Sequence, residues 1–448
     1  MKQNLLISLS TLLAFVCLFS CSSENDLLDE VQDNGGEMDA YYVSYDEALQ
    51  KATAFIADQD ASQLGRKSRV KGVASLGNDA GLDVADHQEF NAGDYLGDNC
   101  SSTSTRFHLI NFADDGGFVL ISADSRTTPV YAYSDEGHLD IDDAVENTGF
   151  AEFLANATEY YDNEIDDFVD GIRFPDTIKP APDPIGDLPI TVIGNGAIVH
   201  YQTVYEEEFR YGVNLPACYG QDDPYNVYCP TVPYVPTSNG RAWAGCVPVS
   251  LAEIFAFYQY PTQYPDIYNP SSMITYDWSA ITAQNTYSAG TYNTGSDNLA
   301  RLLHQIGKYG SIIYAVDGSS IAESSCRSLF TTFGYDCSEL STFSFDSIVS
   351  SLQNGYPVWA SGYQTSNQTI GHAWVIRDVK HEVEVTKYYN WGTHDFVGQV
   401  PTGNSRTYYY CNWGWNGQYN GYFLDTFASG NGSYRYGKKI IYNIHPNN

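Results

Sequence analysis

The sequence predicts an α+β protein in two parts, and three observations carry this prediction. An amphipathic helix, a β-hairpin and a second helix follow one another between residues 41 and 170. Five prolines then interrupt residues 171–189, which favours an extended connector because proline fixes φ and removes a backbone donor. After the connector the composition shifts to Tyr, Gly, Trp and Asn with few charges, and helix and strand patterns return.

The charge of the chain is uneven. Its 448 residues include 22 Lys and Arg against 55 Asp and Glu, a formal net charge of −33. Residues 1–195 hold 10 basic and 36 acidic residues, a net of −26, whereas residues 196–448 hold 12 and 19, a net of −7. Phosphate contacts need clustered Lys and Arg, so this balance argues against a nucleic-acid partner. With 43% hydrophobic residues, the chain is also too apolar to be disordered throughout.

The first twenty residues predict export. Lys2 precedes an apolar run from Leu5 to Phe19 that is too short to span a membrane comfortably. Cys21 and the polar stretch after it resemble a bacterial lipoprotein signal, so we expect a signal peptide at 1–20, lipid on Cys21 and an acidic tether at 21–40. The expected location is the cell envelope, at an outer membrane or the cell surface, with release after processing. An ordinary secretory signal that happens to contain Cys21 is the alternative.

The amino-terminal part is predicted to be a compact α+β domain. Residues 44–59 have apolar side chains near helical spacing behind a capping serine, which predicts a helix. Residues 60–100 are expected to form a loop. FHLINF and FVLISAD flank a Gly-rich turn and predict a hairpin, VYAYSD predicts another strand, and residues 149–170 predict a helix.

The second part contains a candidate nucleophile. Cys246 follows Gly245 and precedes the apolar run VPVSLAEIFAFY, in which Pro248 suits the first turn of a helix. A cysteine at a helix amino terminus faces unbonded N–H groups and the positive end of the macrodipole, which favour the thiolate and lower the pKa. A buried cysteine that caps a core helix is the structural alternative.

Cysteine counting supports a reactive thiol. Of nine cysteines, Cys17 leaves with the signal and Cys21 is assigned to lipid, so seven remain. An odd number in an exported protein favours one free thiol, and the connectivity of the others stays open. No CxxC, HExxH or paired-His spacing occurs in the sequence, so no zinc site is expected.

A thiolate needs a base, and the base needs an orienting group. His372 opens an aromatic strand pattern, Gly371 to Ile376, whereas His304 lies in a helical run and is expected to be a packed or surface residue. Downstream, an Asn412 carbonyl can fix the imidazole tautomer while the adjacent Trp413 shields that bond from water. A tight turn held by aromatic packing is the alternative for this segment.

Together these motifs resemble the streptopain family, papain-like bacterial cysteine peptidases of peptidase family C10. The resemblance rests on Gly245-Cys246-Val247 with its helix ending in Tyr260-Pro261, on GHAWVI at 371–376, on Asn412 to Trp415 and on GYF at 421–423. It implies a papain-like fold of a helical part and an antiparallel β part. It also implies a small α+β inhibitory prodomain at 41–170, an activation linker at 171–195 and a catalytic domain at 196–448.

The resemblance also implies roles for single residues. Cys246 would attack the peptide bond and form a thioester acyl-enzyme, His372 would transfer the proton, and Asn412 with Trp413 would support His372. The pattern from Tyr219 to Asn226 matches a family motif in which Gln221 donates to the oxyanion. The implied partners are protein or peptide substrates, the chain's own prodomain and a membrane reached through the Cys21 lipid. No metal or organic cofactor is implied.

The sequence departs from the family pattern in places. Residues 380–406 look like an insertion, expected to form a loop at the cleft edge, and Asn390-Trp391-Gly392 within it mimics the motif at Asn412. Extra cysteines make a Cys218–Cys229 disulfide near Gln221 a hypothesis. The alternative function is a non-catalytic papain-like surface protein used for adhesion or peptide binding.

Overall fold

The structure is a computed structural model that describes residues 41–62, 83–96, 105–145, 148–170, 190–193, 197–363, 371–426 and 437–447. The signal peptide, Cys21, the acidic tether and the connector up to residue 189 lie outside these ranges, as does Cys100. Predictions made for those segments therefore stay predictions. Within the described ranges, no helix is both long and apolar enough to cross a membrane.

The amino-terminal domain mixes helices with antiparallel strands. Its described elements are α1 (Tyr45–Ser62), β1 (Val84–Asn91), α2 (Ala92–Leu96), β2 (Arg106–Phe112), β3 (Phe118–Ser122), β4 (Val130–Ser134), α3 (Ile141–Ala144) and α4 (Thr148–Val169). The predicted helices, hairpin and third strand are confirmed.

The loop predicted for residues 60–100 is wrong where β1 and α2 lie. β1 is mainly polar and has a single buried residue, Phe90, so it has no clean hydrophobic alternation, but it pairs with β2 from Val84 to Asn91. Its strand conformation comes from this edge pairing and not from a local pattern. At the start of α1, the Glu47 amide donates to Ser44 Oγ at 3.4 Å, so Ser44 caps the helix as predicted, and the Ser44 amide donates back to Glu47 Oε2 at 2.8 Å.

The carboxy-terminal part begins with two strands and then alternates helices with strands. Its described elements are β5 (Ile190–Val192), β6 (Ile198–Gly212), α5 (Cys246–Tyr258), β7 (Gln263–Asp266), β8 (Asn269–Thr275), α6 (Trp278–Ile281), α7 (Thr294–Tyr309), β9 (Ile313–Tyr314), β10 (Ser319–Ser320), α8 (Cys326–Thr332), β11 (Tyr335–Asp336), β12 (Ser341–Thr342), α9 (Phe345–Gln353), β13 (Val358–Tyr363), β14 (Gly371–Asn390), β15 (Phe396–Asn412), β16 (Gly421–Leu424), β17 (Lys439–Ile441) and β18 (His445–Pro446). The predicted helix after Cys246 and strand at His372 are confirmed.

One large antiparallel sheet joins the two parts. Its order is β1-β2-β3-β4-β16-β15-β14-β13-β17-β12, and β6 pairs with β14 beside it. The junction is the pair β4–β16, in which Tyr422 is opposite Tyr133 and Phe423 is opposite Ala132. The amino-terminal domain therefore extends the sheet that carries His372, and residues 41–448 form one compact unit.

Residues 380–406 form a long β-hairpin with register shifts at Val383/Val385 and Tyr388/Tyr389, so the loop predicted for them is wrong. β14 and β15 pair from Val375–Asn412 to Tyr389–Phe396, and β6 pairs with the other edge of β14. Tyr, Val and Thr along both strands favour extended backbone. The motif-like Asn390 lies at the exposed turn, where its side chain accepts bonds from the Gly392 and Thr393 amides.

Two hydrophobic cores flank the sheet that carries His372. One contains α5, α7 and α8 and packs against Cys246 and Ala373. The other contains the amino-terminal domain together with Trp374 and Trp413. A helical part that carries the cysteine thus faces an antiparallel part that carries the histidine. The predicted α+β arrangement, a helical part and an antiparallel β part preceded by a small α+β domain, is confirmed.

Candidate active site

Cys246 begins helix α5 and lies among backbone donors. Gly245 caps the helix with a φ of 97°, which favours glycine because other residues are strained in this region. The amides of Ala373, Val247 and Cys246 itself hydrogen-bond to the sulfur and lower its pKa. Burial outweighs them, and the pKa of the thiol is raised overall. The expectation of a lowered pKa is therefore wrong for this form of the chain, which holds Cys246 as a thiol.

His372 opens β14, but its ring does not face the cysteine. Because successive residues of a strand point to opposite faces, Ala373 lies toward the Cys246 core and His372 toward the other. The His372 Nε2 atom lies 2.8 Å from the carbonyl oxygen of Trp413. Since a carbonyl only accepts, Nε2 carries the proton and Nδ1 is the basic nitrogen. No hydrogen bond joins His372 to the Cys246 sulfur in the described part of the chain.

Burial also sets the charge of His372. The side chain is 5% exposed, and desolvation lowers the pKa to about 4, while the bond to the Trp413 carbonyl raises it. The imidazole is therefore neutral at physiological pH. A neutral imidazole bonded away from the thiol does not activate it, so the two predicted catalytic groups are close in the fold but not coupled.

In the described part of the chain, the Asn412 side chain makes its hydrogen bonds to groups other than His372, so its orienting role stays a prediction. Its side-chain amide donates to the Ala217 carbonyl at 2.8 Å. Its side-chain oxygen accepts from Asn420 Nδ2 at 3.0 Å and from the Gly414 amide at 3.3 Å. These bonds hold the buried amide and the 412–414 turn, and the acceptor for His372 is the next carbonyl along the chain.

Trp413 and Gln221 lie near the two groups they were predicted to serve. The Trp413 ring packs 6.3 Å from the His372 ring and 5.3 Å from Trp374, centroid to centroid. The Gln221 carbonyl accepts from the Ala244 amide at 2.9 Å, which sets the Gln221 loop beside the residues that lead into Cys246. Gln221 is partly buried, as expected for a cleft residue.

Helix α4 of the amino-terminal domain covers His372. A Cβ on Gly149 would lie 2.4 Å from Trp413 Cε3 and 2.7 Å from His372 Cδ2, so the helix backbone rests directly on both rings. One turn further, Glu152 lies 3.2 Å from Lys438 Nζ in a buried ion pair. We call this contact of Gly149 and Glu152 with the catalytic part the α4 cover.

Sequence reasoning missed Glu253, which ties the nucleophile helix to its surroundings. It is fully buried on α5, and its Oε1 accepts from the Tyr219 amide at 2.9 Å. Burial raises the pKa of this carboxyl well above its ordinary value. A single acidic residue inside the apolar run VPVSLAEIFAFY was the available signal, because buried carboxyls need partners.

The described cysteines are unbridged, which does not support the proposed Cys218–Cys229 disulfide. Cys218, Cys229, Cys246, Cys326, Cys337 and Cys411 are all free thiols. Among the residues the structure describes, no group of three His, Cys, Asp or Glu side chains could hold a metal ion.

Comparison with known proteins matches both parts of the chain. The peptidase C10 family matches residues 219–423, and the Spi protease inhibitor family matches residues 40–161. Streptopain of Streptococcus pyogenes serotype M28 is 23% identical over 340 residues, which cover 69% of this chain and 71% of streptopain. The thiol protease/hemagglutinin PrtT of Porphyromonas gingivalis is 24% identical over 372 residues, covering 76% of this chain and 37% of PrtT.

Solved structures are also similar. A fragment of prointerpain A from Prevotella intermedia has a TM-score of 0.49 and 20% identity, covering 80% of this chain and 98% of that fragment.

Proposed function

We propose that the chain is an exported endopeptidase whose nucleophile is Cys246. The premise is its match to the peptidase C10 family and to the Spi protease inhibitor family, which supports a cysteine peptidase of the streptopain family with an inhibitory prosegment. The observation that carries the proposal is the position of the Cys246 sulfur. It lies at the start of a buried helix, within hydrogen-bonding reach of the amide of Ala373, the residue after His372.

In the proposed mechanism, His372 takes the thiol proton and the sulfur attacks the substrate carbonyl carbon. The S–C bond forms, the C–N bond breaks, and the imidazolium returns its proton to the leaving amine. Water, deprotonated by His372, then hydrolyses the thioester. Gln221 and the Cys246 amide would hold the oxyanion, and a donor of this kind contributes about 3 kcal/mol to stabilising the transition state.

The orientation of His372 follows from the observed hydrogen bonds. With Nε2–H donated to the Trp413 carbonyl, Nδ1 is free to act as the base once the ring turns toward Cys246. Asn412 then acts through the turn that it holds, as a positioning residue. Trp413 supplies both the carbonyl and an apolar wall beside the imidazole.

The α4 cover supports latency of the precursor. It buries His372 in a neutral, turned-away state, and Gly149 leaves no room for the ring to move. We propose that cleavage between the two parts removes this cover and completes the Cys246–His372 pair. Removal of residues 1–195 would also take away a net charge of −26 and leave a mature enzyme near −7.

Export and lipidation at Cys21 belong to the proposal and rest on the amino-terminal sequence alone. Mass spectrometry of the protein isolated from its own membrane fraction tests them. We expect an amino terminus at Cys21 with attached acyl chains. A free amino terminus at another residue would instead indicate ordinary secretion without lipidation.

The test of the nucleophile compares two single cysteine variants of the full chain. We expect Cys246→Ala to abolish self-processing and peptide hydrolysis, and Cys337→Ala, which removes a thiol elsewhere in the fold, to mature normally. Maturation of Cys246→Ala at the wild-type rate without added protease would disprove the assignment.

A non-catalytic binding protein is the second candidate, because His372 and Cys246 are not hydrogen-bonded in the described structure. Labelling with a thiol-directed epoxide before and after removal of the first domain separates the two functions. We expect Cys246 to be labelled after removal. Absence of labelling and of peptide hydrolysis in both forms would favour binding.

A further inference from the structure

A carboxylate on the face of the sheet toward Cys246 is not used by the proposed mechanism. Glu323 lies in the turn Glu323–Ser325 that leads into α8, and it is half-buried. Its Oε1 accepts a hydrogen bond from the Ser361 hydroxyl at 2.5 Å, and Ser361 is 6% exposed. This bond holds the carboxylate against strand β13.

Ser361 faces the same side of the sheet as the nucleophile. It is the direct partner of Ala373 in the β13–β14 ladder, and paired residues of antiparallel strands share a face with their Cβ atoms about 5 Å apart. The Ala373 amide hydrogen-bonds to the Cys246 sulfur. Trp359, two residues before Ser361 on the same face, belongs to the core that contains α5. Two short steps, from the sulfur to Ala373 and from Ala373 to Ser361, therefore join Cys246 to Glu323.

Cys326 connects Glu323 to Cys246 by a second route. It lies three residues after Glu323 at the start of α8 and is fully buried. Burial raises the pKa of its thiol most, and Cys246 and Glu323 raise it further. Both groups thus lie within electrostatic range of one sulfur, so Glu323 belongs to the neighbourhood of the nucleophile.

An aromatic ring lies beside the carboxylate. Tyr363 follows Ser361 by two residues and shares its face of β13. Burial raises the pKa of Tyr363 most, and the Glu323 carboxylate raises it further. The ring lies against Gly371, where an added Cβ would be 3.0 Å from Tyr363 Cδ1. A carboxylate next to an aromatic ring is a combination that binds ammonium and guanidinium groups.

Within the described residues, Glu323 forms no ion pair with a basic side chain. Arg327, one helical turn later, is bonded instead to Glu339, with Nη2 and Oε1 2.9 Å apart. A carboxylate that is partly removed from water and lacks a counter-charge favours the binding of a cation from outside the chain.

We propose that Glu323 is a specificity residue that binds a basic side chain, Arg or Lys, of the peptide substrate. The inference rests on the proposed function, since it requires that the bond to be cut lies at the Cys246 sulfur. An extended peptide advances about 3.3 Å per residue, so the basic residue lies within about three residues of that bond. Ser361 orients the carboxylate, and Tyr363 contributes an aromatic wall beside the bound cation.

Charge is the property by which this site selects its ligand. Arg and citrulline have nearly the same shape, but only the guanidinium of Arg is charged and makes charge-assisted bonds to a carboxylate. We therefore expect a preference for Arg over citrulline, and this preference should weaken as salt screens the half-buried carboxylate.

The test uses mature enzyme and matched peptides that carry Arg or citrulline at each of the three positions on either side of one cleavage site. We expect the wild type to cleave one Arg peptide with a kcat/KM about tenfold above that of its citrulline partner, mainly through KM. In Glu323→Gln, which keeps the size of the side chain and an acceptor for Ser361, the Arg-to-citrulline ratio should fall to about 1.

Two further variants separate recognition of charge from a structural role. Ser361→Ala removes the donor but keeps the carboxylate, so the ratio should decline only in part, to about threefold. Asp346→Asn removes an exposed charge at the start of α9, which packs in the other core, and should leave the ratio at its wild-type value.

Three outcomes overturn the role of Glu323: a wild-type ratio below about twofold at every position, a ratio that persists in Glu323→Gln, or an equal loss in Asp346→Asn, which would attribute the preference to net charge. Cleavage of the citrulline peptides by the wild type in any of these cases leaves the peptidase function standing. Failure to cleave any peptide would instead count against the proposed function itself.

Discussion

Cys246 and His372 form one predicted catalytic pair but are held by different parts of the molecule. Among the residues that the structure describes, the donors to the Cys246 sulfur belong to the catalytic part, namely the amides of Val247, Ala373 and Cys246. The surroundings of His372 are completed by the prodomain, because Gly149 rests on the ring. The cysteine site is thus intact in the precursor, whereas the histidine site depends on a domain that is to be removed.

This difference indicates which part of the molecule keeps the precursor inactive. A prosegment that only blocked the cleft would leave the imidazole coupled to the thiol. Here the prodomain extends the sheet that carries His372 and packs on the histidine from the opposite core. Changes on the cysteine side should therefore affect precursor and mature enzyme equally, and changes on the histidine side should affect them differently.

The largest effect is expected from Glu253→Ala, on the cysteine side. It deletes the acceptor of the Tyr219 amide and leaves a cavity in the core, which costs about 4 kcal/mol of unfolding free energy. We expect a similar loss in the precursor and the mature enzyme, with kcat at least tenfold lower. Glu253→Gln keeps an acceptor and should restore most of the stability and most of kcat. A loss confined to the precursor or to the mature enzyme would contradict the comparison.

Gly149→Ala comes next and belongs to the histidine side. The added methyl collides with the Trp413 and His372 rings, and overpacking of this kind costs about 2 kcal/mol. We expect faster self-processing and a lower melting temperature of the precursor, and no change in the mature enzyme, which lacks α4. Gly398→Ala, at an open position, is the control. A precursor that matures at the wild-type rate would contradict the α4 cover.

The titrations of Glu152 and His372 affect the stability of the precursor in opposite directions. Burial raises the pKa of Glu152 to about 7 from an ordinary 4.5, so the folded precursor binds the extra proton and this group adds stability as pH falls from 7 to 4.5. Burial lowers the pKa of His372 to about 4 from 6.5, so this group loses stability as pH falls through that window. The two contributions should largely cancel.

Glu152→Gln removes one of these opposed contributions. In a Cys246→Ala precursor, which does not process itself, we expect it to add a loss of about 2 kcal/mol between pH 6.5 and 5. Melting temperatures against pH measure this. Asp166→Asn removes an exposed charge from the same helix and should leave the profile unchanged. If Glu152→Gln and its Cys246→Ala parent gave parallel profiles of melting temperature against pH, the opposed contributions of Glu152 and His372 would be refuted.

The smallest effect is expected at the tip of the β14–β15 hairpin. Trp391 is 56% exposed and far along the hairpin from His372, so Trp391→Ser should change stability by less than about 0.5 kcal/mol. Peptide hydrolysis should stay within twofold of the wild type. A larger loss of activity would show that the hairpin takes part in binding peptides.

Much of the fold could be predicted from sequence where a local pattern determines the element. The helix at Cys246, the strand at His372 and the hairpin at 106–122 follow hydrophobic periods and turn residues. β1 was missed because its residues are polar and its conformation depends on pairing with β2. The long β14–β15 hairpin was expected as a loop, since pairing with β6 lies outside any local window.

The site was predictable in its residue types but not in its contacts. Motifs led to Cys246, His372 and Gln221 as candidates, yet the bond from His372 to the Trp413 carbonyl involves the backbone, which leaves no trace in the sequence. The α4 cover depends on the docking of two domains. The raised pKa of Cys246 has the same origin, because burial is a tertiary property that a helix-start argument omits.

The most direct test of this account is the pH dependence of Cys246 alkylation in the precursor and in the mature enzyme, read by mass spectrometry on each full-length species. The account predicts that the thiol of the precursor reacts only at alkaline pH, because its pKa is raised and His372 is hydrogen-bonded to Trp413 instead of to the thiol. In the mature enzyme, pairing with His372 should keep it reactive in mild acid. The same pH profile in both forms would contradict the account.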